Sequence, residues 1–307
     1  MVELKAKAPF KIIFTGLDDS GKTSSLYVLE DKFSLLNPPP TIGIERETFE
    51  VLGFPIIRWD LGGQSKFRQS YLEQEYTFAD TDLLFYIIDI QNRSRFGESI
   101  DYFEHILTMF KKVGQKPPIF LCLHKFDPDL KTDDRILSNV ELAKQIFRRK
   151  SFGFEVEMCE TTIFEKWSLT VAFSKALSKL SPKSHILDQQ LEAFANQIQS
   201  ETVLLLDENA LLFGQYFKNL ECYDICKIIS PHLATMADKI IKYGTNFEIF
   251  QVKVKERGWV FFRDLQIANK QYYLIIHNNQ VSSIKLIDEN IPQFIAKISN
   301  VIQSFFT

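Results

Sequence analysis

Residues 16–23, with the sequence GLDDSGKT, have the composition and spacing of a phosphate-binding loop. They match the pattern G-x-x-x-x-G-K-[ST], with an apolar run before them and a helical stretch after them. Glycines permit backbone angles that turn N–H groups toward phosphate oxygens, and the helix start adds the positive end of its dipole. Lys22 is predicted to neutralise the β- and γ-phosphates, and the Thr23 hydroxyl to ligate Mg²⁺. The predicted nucleotide contacts in this segment are Asp18, Asp19, Ser20, Gly21, Lys22, Thr23 and Ser24.

A second polar segment, WDLGGQ at residues 59–64, ends another apolar run. Asp60 is placed to hold Mg²⁺ through a water, and a backbone N–H at Gly62 or Gly63 could approach the γ-phosphate. Gln64 is the candidate for orienting the water that attacks this phosphate. The segment therefore predicts hydrolysis in addition to binding.

Between these two segments lies the sequence PPPTIG, at residues 38–43. The prolines stiffen the chain, and the Thr41 hydroxyl can reach Mg²⁺ when a γ-phosphate is present. The alternative interpretation is a simple proline-rich turn. The predicted metal ligands are Thr23, Thr41 and Asp60, and the predicted catalytic residues are Gln64, Lys22 and Thr41.

A third polar segment, HKFD at residues 124–127, also follows an apolar run. The Asp127 carboxylate can accept hydrogen bonds from N1–H and the 2-amino group of guanine, a donor pair that adenine does not offer. The stem of Lys125 is expected to lie along the base. For His124, a direct nucleotide contact and a structural role at the strand end are equally supported. Thr162 and Ile163 are placed to complete the base pocket through their backbone N–H groups.

The elements that must position these residues follow from the hydrophobic pattern. Residues 83–88 are apolar at nearly every position, which is typical of a strand covered by helices on both faces. Alternating strands and helices predict an α/β fold with a doubly wound, mostly parallel sheet. The predicted strands are 10–15, 45–52, 55–60, 82–89, 119–124 and 154–159. The predicted helices are 21–33, 65–76, 94–112, 132–150 and 169–180.

The pattern changes near residue 182, which divides the chain into predicted domains at 1–182 and 183–307. Two strands, a helix, three strands and a helix predict an α+β domain with a five-stranded antiparallel sheet in the second part. Its predicted strands are 202–206, 210–217, 247–254, 259–267 and 271–277. Its predicted helices are 186–199, 222–243 and 291–306.

Composition excludes several classes of protein. The 36 Lys and Arg against 39 Asp and Glu give a net charge of −3, without the basic footprint of a nucleic-acid binder. Four cysteines are too few and too unevenly placed for a disulfide framework. No segment reaches the length of about 20 apolar residues that spans a bilayer. A cytoplasmic protein is expected, peripheral to a membrane only through partners.

Together, these motifs resemble those of the Ras-like superfamily of small GTPases. The residues PTIG at 40–43 and WDLGGQ at 59–64 are similar to the Arf branch. The residues HKFD at 124–127, TTIF at 161–164 and AFSK at 172–175, with a further α+β domain, resemble the Rag (Gtr) GTPases instead. The resemblance covers essentially the whole chain.

The resemblance implies a GTP/GDP switch that uses Mg²⁺ and hydrolyses GTP slowly without an activating protein. It implies a C-terminal domain of the roadblock/longin type that pairs two GTPases. The implied partners are a second GTPase, in a homodimer or heterodimer, a GAP, a GEF and roadblock-type proteins. Rag proteins normally signal nutrient status as heterodimers at lysosomal or vacuolar membranes.

Three interpretations of function and two of assembly stay open. The protein is a hydrolysing switch, a non-hydrolysing GTP-binding scaffold or a divergent Arf-like trafficking GTPase, and Gln64 favours the first. Residues 259–262 and 272–276 are so apolar that self-pairing of the second domain is expected to bury them. The alternative is that helices of the same chain cover this sheet. No arginine is assigned a catalytic role.

Overall fold

The computed structural model describes residues 9–29, 41–51, 54–151, 153–180, 184–208, 210–245, 249–267, 270–279 and 283–306. The chain divides into two compact units, Met1–Leu180 and Ser181–Thr307. The identity of the second unit as a roadblock/longin-type domain stays a prediction. No described helix is long and apolar enough to cross a membrane.

The first unit is a six-stranded sheet with helices between its strands. Its strands are β1 (Phe10–Gly16), β2 (Ile44–Val51), β3 (Phe54–Leu61), β4 (Leu83–Asp89), β5 (Ile119–His124) and β6 (Val156–Thr161). Its helices are α1 (Lys22–Leu29), α2 (Ser65–Glu73), α3 (Phe96–Lys112), α4 (Asp134–Lys150) and α5 (Lys166–Leu180). The sheet order is β2-β3-β1-β4-β5-β6, and every pairing is parallel except that of β2 with β3. The predicted α/β class is confirmed.

Both faces of the central strands are buried, as the continuous apolar runs predict. Neighbouring residues of β4 point to opposite faces. Phe85 stacks on Phe14 and Phe173, with ring centroids 4.7 and 5.6 Å away. Tyr86 packs on the other face against Phe103 of α3, at 5.0 Å. Burying each such side chain contributes about 1.5–3 kcal/mol, so packing on both faces stabilises the central strands of the sheet.

The second unit is a five-stranded antiparallel sheet with three helices, as predicted. Its strands are β7 (Thr202–Asp207), β8 (Leu212–Phe217), β9 (Ile249–Val254), β10 (Gly258–Ile267) and β11 (Lys270–Asn278). Its helices are α6 (Ser184–Gln197), α7 (Leu220–Lys242) and α8 (Ser283–Phe306). The order is β8-β7-β11-β10-β9, with all neighbours antiparallel. The unit has an edge strand on each side, β8 and β9.

Strands β10 and β11 follow the alternative interpretation, in which helices of the same chain cover the sheet. Residues 260–262 of β10 and 272–276 of β11 are all buried within the chain. Because consecutive residues of a strand point to opposite faces, both faces of these strands are already covered. Helix α7 packs on β7, β8, β10 and β11, while α6 packs on β7 and β8. The sheet therefore needs no second copy to bury its apolar residues.

Helix α8 begins at Ser283, well before the predicted start at residue 291. Pro292 lies inside this helix, where it removes one backbone hydrogen bond. The buried Ile287, Phe294 and Ile298 continue one apolar face across the proline. Their packing outweighs the lost bond.

Candidate functional site

The carboxyl ends of five parallel strands bring the polar segments of the sequence to one edge of the sheet. Gly16 ends β1, Asp60 lies near the end of β3, and Asp89, His124 and Thr161 end β4, β5 and β6. In the sheet register Asp89 is opposite His124, which is opposite Thr161. This edge is where doubly wound α/β proteins bind ligands.

The loop from β1 to α1 requires its two pattern glycines. Gly16 and Gly21 have φ values of +148° and +91°, which side chains other than hydrogen rarely allow. A Cβ atom on Gly16 would lie 2.2 Å from the Ile87 carbonyl oxygen. Of the other predicted contacts here, Asp19 is exposed and Ser24 is half-buried, while Ser20 is buried.

Lys22 is buried at the base of this loop, and its Nζ donates to the Leu17 carbonyl at 2.7 Å. Burial lowers the pKa of its ammonium group to about 8, while the Asp60 carboxylate is the largest influence that raises it. A phosphate beside Lys22 would favour the charged form further. The geometry suits an anion-binding lysine.

Three oxygen-bearing side chains meet beside the loop. The Thr23 hydroxyl donates to Asp60 Oδ2 at 2.8 Å and lies 3.0 Å from the Thr41 hydroxyl. The Thr41 hydroxyl is 3.4 Å from the same Asp60 oxygen. Asp60 Oδ1 is buried without a hydrogen-bond partner among the described residues, and burial raises the Asp60 pKa against the opposing charge of Lys22. A buried carboxylate among hydroxyls fits Mg²⁺, which takes oxygen ligands.

The segment around Thr41 contacts the segment after β3. The Gly43 carbonyl accepts from Gly62 N–H at 2.9 Å and from the Tyr71 hydroxyl at 2.7 Å. A Cβ atom on Gly62 would lie 2.4 Å from the Thr41 carbonyl oxygen. Residues 38–40, the predicted proline-rich approach, lie outside the described residues.

Gly63 packs directly on the phosphate loop, because a Cβ atom there would lie 2.2 Å from the Asp18 nitrogen. Gln64 follows at the start of α2, and its carbonyl accepts from the N–H groups of Phe67 and Arg68 at 3.0 Å. Its side chain makes no capping hydrogen bond and is half-buried. Gln64 therefore follows a residue that contacts the loop, and its side chain is not used to cap the helix.

His124 connects the two ends of the site. Its Nδ1 lies 3.0 Å from the Thr161 hydroxyl, and its Nε2 lies 3.3 Å from the Ser25 hydroxyl of α1. A Cβ atom on Gly21 would lie 2.5 Å from the imidazole. This geometry describes a structural strut between β5, β6 and the phosphate loop. A direct contact of His124 with a nucleotide stays a prediction.

A pH dependence of stability follows from this strut. Burial, assisted by the charge of Lys125, lowers the His124 pKa from 6.5 to about 3. Between these values the unfolded chain binds a proton that the folded chain does not, so stability falls as pH drops below 6.5. The cost is about 1.4 kcal/mol per pH unit. We expect the free energy of unfolding of the wild type to fall between pH 7 and pH 5, and the fall to be about 2 kcal/mol smaller in His124→Asn. Denaturant titrations at the two pH values measure it.

His105→Gln, at an exposed position of α3, is the matched control and should retain the wild-type difference. An unchanged pH dependence in His124→Asn would mean that folding does not lower the His124 pKa.

Asp127 is held in place by two donors. The Thr162 hydroxyl donates to Oδ1 at 2.6 Å, and Gln91 Nε2 donates to Oδ2 at 2.8 Å. The Gln91 amide also donates to the Lys125 carbonyl at 2.8 Å, while Lys125 Nζ pairs with Asp89 at 2.7 Å. The last residue of β4, Asp89, thus fixes the ammonium group of Lys125, and Gln91, just after β4, fixes its backbone, where φ is +62°.

The predicted role of Thr162 needs correction. Its backbone N–H, expected to face the base, donates instead to the Ser168 hydroxyl at 3.0 Å. The Thr162 hydroxyl holds Asp127, so Thr162 acts on the carboxylate. Ile163 follows in the same loop and is half-buried.

Sequence reasoning missed a group of charged residues beside the phosphate loop. Arg95 donates to the Asp18 carboxylate at 2.7 Å, to the Asp18 carbonyl at 3.2 Å and to Glu98 at 2.9 Å. Glu98 also pairs with Arg68 of α2, whose guanidinium lies 5.0 Å from the Tyr102 ring. The available signal was position, because Arg95 follows β4 at the edge where the other motifs lie.

Comparisons with known proteins agree with this arrangement. The family profile described as "Gtr1/RagA G protein conserved region" matches residues 11–229. "Ras-related GTP-binding protein A" of Dictyostelium discoideum is 23% identical over 94% of this chain and 99% of its own. "GTP-binding protein GTR1" of Saccharomyces cerevisiae is 23% identical over 92% of this chain and 93% of its own. "GTP-binding protein gtr1" of Schizosaccharomyces pombe is 28% identical over 66% of each chain.

Proposed function

Since the chain belongs to the Gtr1/RagA family of G proteins and is a GTPase that binds guanine nucleotide, we propose that it works as a GTP/GDP switch with Mg²⁺ and hydrolyses GTP slowly. The observation that carries the proposal is the meeting, at one sheet edge, of three features. They are the phosphate-loop lysine, the Thr23–Thr41–Asp60 oxygen cluster and the Asp127 carboxylate.

Base selection rests on Asp127 in this proposal. Thr162 and Gln91 hold its carboxylate, and each oxygen retains a further lone pair. N1–H and the 2-amino group of guanine donate to these remaining lone pairs, whereas adenine offers no such donor pair and would leave them desolvated without a partner. Such a site can discriminate by about 10⁴–10⁵-fold.

Phosphate binding rests on the loop N–H groups and on Lys22, which supplies a positive charge from a buried position. Mg²⁺, when bound, neutralises charge that develops on the phosphates. Thr23, Thr41 and Asp60 would hold it. Because Thr41 precedes Gly43, which hydrogen-bonds Gly62, the same contacts support coupling of the metal site to the segment that carries Gln64.

Gln64 orients the attacking water in this proposal, from its place beside Gly63 and the phosphate loop. Hydrolysis is expected to be slow in isolation, because small GTPases gain most of their rate from an arginine that an activating protein supplies. A GAP and a GEF are therefore expected partners. A scaffold that keeps GTP without turnover is the competing candidate.

The test of the switch uses the purified full chain. We expect fluorescent GTP and GDP to bind in the presence of Mg²⁺, ATP to compete poorly, and EDTA to weaken binding. Single-turnover phosphate release should be slow and should accelerate in a cell extract. Tight GTP binding without phosphate release under either condition would favour the scaffold.

The second unit is proposed to assemble the protein into dimers, with itself or with a related GTPase. Support comes from α7, which exposes Leu220, Ile228 and Met236. Ile228 and Met236 are eight residues apart, so their side chains point about 80° apart around the helix axis, on adjoining sides. Ile228 is 66% exposed and Met236 41% exposed, while the buried Cys226 and Leu233 face the sheet side of the same helix. Exposed apolar side chains on adjoining sides of one helix favour an association surface there.

We expect light scattering at micromolar concentration to give the mass of a dimer for the full chain. Ile228→Asp combined with Met236→Asp should shift the mass to that of a monomer, because two buried charges would be desolvated at the contact. Leu137→Asp, at an exposed position of α4, is the matched control and should remain dimeric. A monomeric wild type would leave a different GTPase subunit as the expected partner.

A further inference from the structure

Arg95 lies on a short 3-10 turn, Arg93–Arg95, between β4 and α3. Its guanidinium contacts both the side chain and the backbone carbonyl of Asp18, at 2.7 and 3.2 Å. Arg95 and Asp18 are separated by 77 positions in the sequence. The pair therefore ties the segment after β4 to the phosphate loop.

Asp18 occupies the side of the loop on which the terminal phosphate is expected. The preceding Leu17 carbonyl accepts from Lys22 Nζ at 2.7 Å. Gly63 packs against the Asp18 nitrogen, and Gln64 follows it. The Leu17–Asp18 peptide thus lies among the groups assigned to the γ-phosphate.

A carboxylate at this place has an electrostatic cost. An ionised Asp18 repels an incoming γ-phosphate, and the repulsion between like charges at close range is considerable in a partly desolvated site. Arg95 offsets this charge: although partial burial raises the Asp18 pKa, the hydrogen bond and charge of Arg95 outweigh it and hold that pKa below its ordinary value. Asp18 is thus kept ionised and neutralised by its partner.

The same arginine is linked to the segment that carries Gln64. Glu98 accepts from Arg95 at 2.9 Å and also pairs with Arg68. The Arg68 backbone N–H donates to the Gln64 carbonyl at 3.0 Å. One chain of contacts therefore runs from Asp18 to the backbone of Gln64.

We propose that Arg95 is a positioning residue that sets the preference for GTP over GDP by neutralising and orienting Asp18 beside the γ-phosphate. The inference rests on the proposed guanine-nucleotide site. Loss of Arg95 leaves Asp18 charged and free to turn toward the nucleotide. The affinity for GTP then falls more than the affinity for GDP, because only GTP carries the third phosphate.

The test compares affinities of the full chain for GDP and for a non-hydrolysable GTP analogue. Arg95→Ala is expected to lower the affinity for the analogue about tenfold more than the affinity for GDP. Asp18→Asn in the Arg95→Ala background should restore the wild-type ratio, since no charge then needs a partner. Arg93→Ala, at an exposed position on the same turn, is the control and should keep the wild-type ratio.

Restoration of the affinity ratio by Asp18→Asn separates this role from a purely structural one. A general loss of loop order would lower the affinity for both nucleotides, and Asp18→Asn would not reverse it. If Arg95→Ala does not fold, Arg95→Gln replaces it, with the same expected change in ratio. Equal weakening of both nucleotides, or no rescue, would overturn the role of Arg95. Failure of the wild type to bind either nucleotide would instead overturn the proposed function.

Discussion

Asp127→Asn is expected to lower the affinity for GTP by about three orders of magnitude or more and to favour xanthosine triphosphate in its place. The asparagine amide donates where the carboxylate accepted, so it opposes the guanine N1–H or 2-amino group. Xanthine carries a 2-oxo group that can accept from the new amide. Fluorescent nucleotide titrations with GTP and xanthosine triphosphate measure the exchange of preference.

The matched control is Asp129→Asn, two residues further along at an exposed position. It should bind GTP as the wild type does. Unchanged GTP affinity in Asp127→Asn would overturn the assignment of base recognition to this segment, whatever happens with xanthine.

Gln64→Leu is expected to leave GTP binding nearly intact and to lower stimulated hydrolysis by about a hundredfold or more. The leucine fills a similar volume but cannot hydrogen-bond the attacking water. Because the Gln64 side chain makes no capping bond to α2, its loss should not disturb the helix. Single-turnover phosphate release with a saturating activating protein measures the effect.

Gln69→Leu, on the exposed surface of the same helix, serves as the control. Equal stimulated rates for Gln64→Leu and the wild type would remove Gln64 from the mechanism. A matching loss of GTP affinity would point to a binding role for the side chain.

The fold could be predicted largely because the central strands β4 and β5 of the first unit are apolar at nearly every position. Such runs are typical of a strand that is covered by helices on both faces. The ends of elements were less accurate: β6 runs from Val156 to Thr161 and not over 154–159. Capping and packing set such ends, and the hydrophobic period does not report them.

The sequence could not show which elements cover the sheet of the second unit. Composition indicates that β10 and β11 must be buried, but it cannot say by what. In the structure helices of the same unit cover them, and several of the exposed apolar residues, among them Ile228 and Met236, are on α7.

Some residues of the candidate site could be predicted from the sequence, and others could not. Residues in motifs were predicted because their spacing reflects local chemistry, as in residues 16–23. Arg95 and Gln91 were missed because their partners, Asp18 and Asp127, are distant in sequence. Such pairs arise only once the register of β4 with its neighbours is fixed.

The imidazole of His124 has a mechanical consequence for the two halves of the nucleotide cradle. It touches Gly21 and Ser25 on the phosphate side and Thr161 on the base side, through a ring that is almost fully buried. Interiors packed at this density transmit displacements and do not absorb them. The loops around the two ends of the ligand therefore both pack on the His124 imidazole, so a displacement of one loop is expected to shift the other.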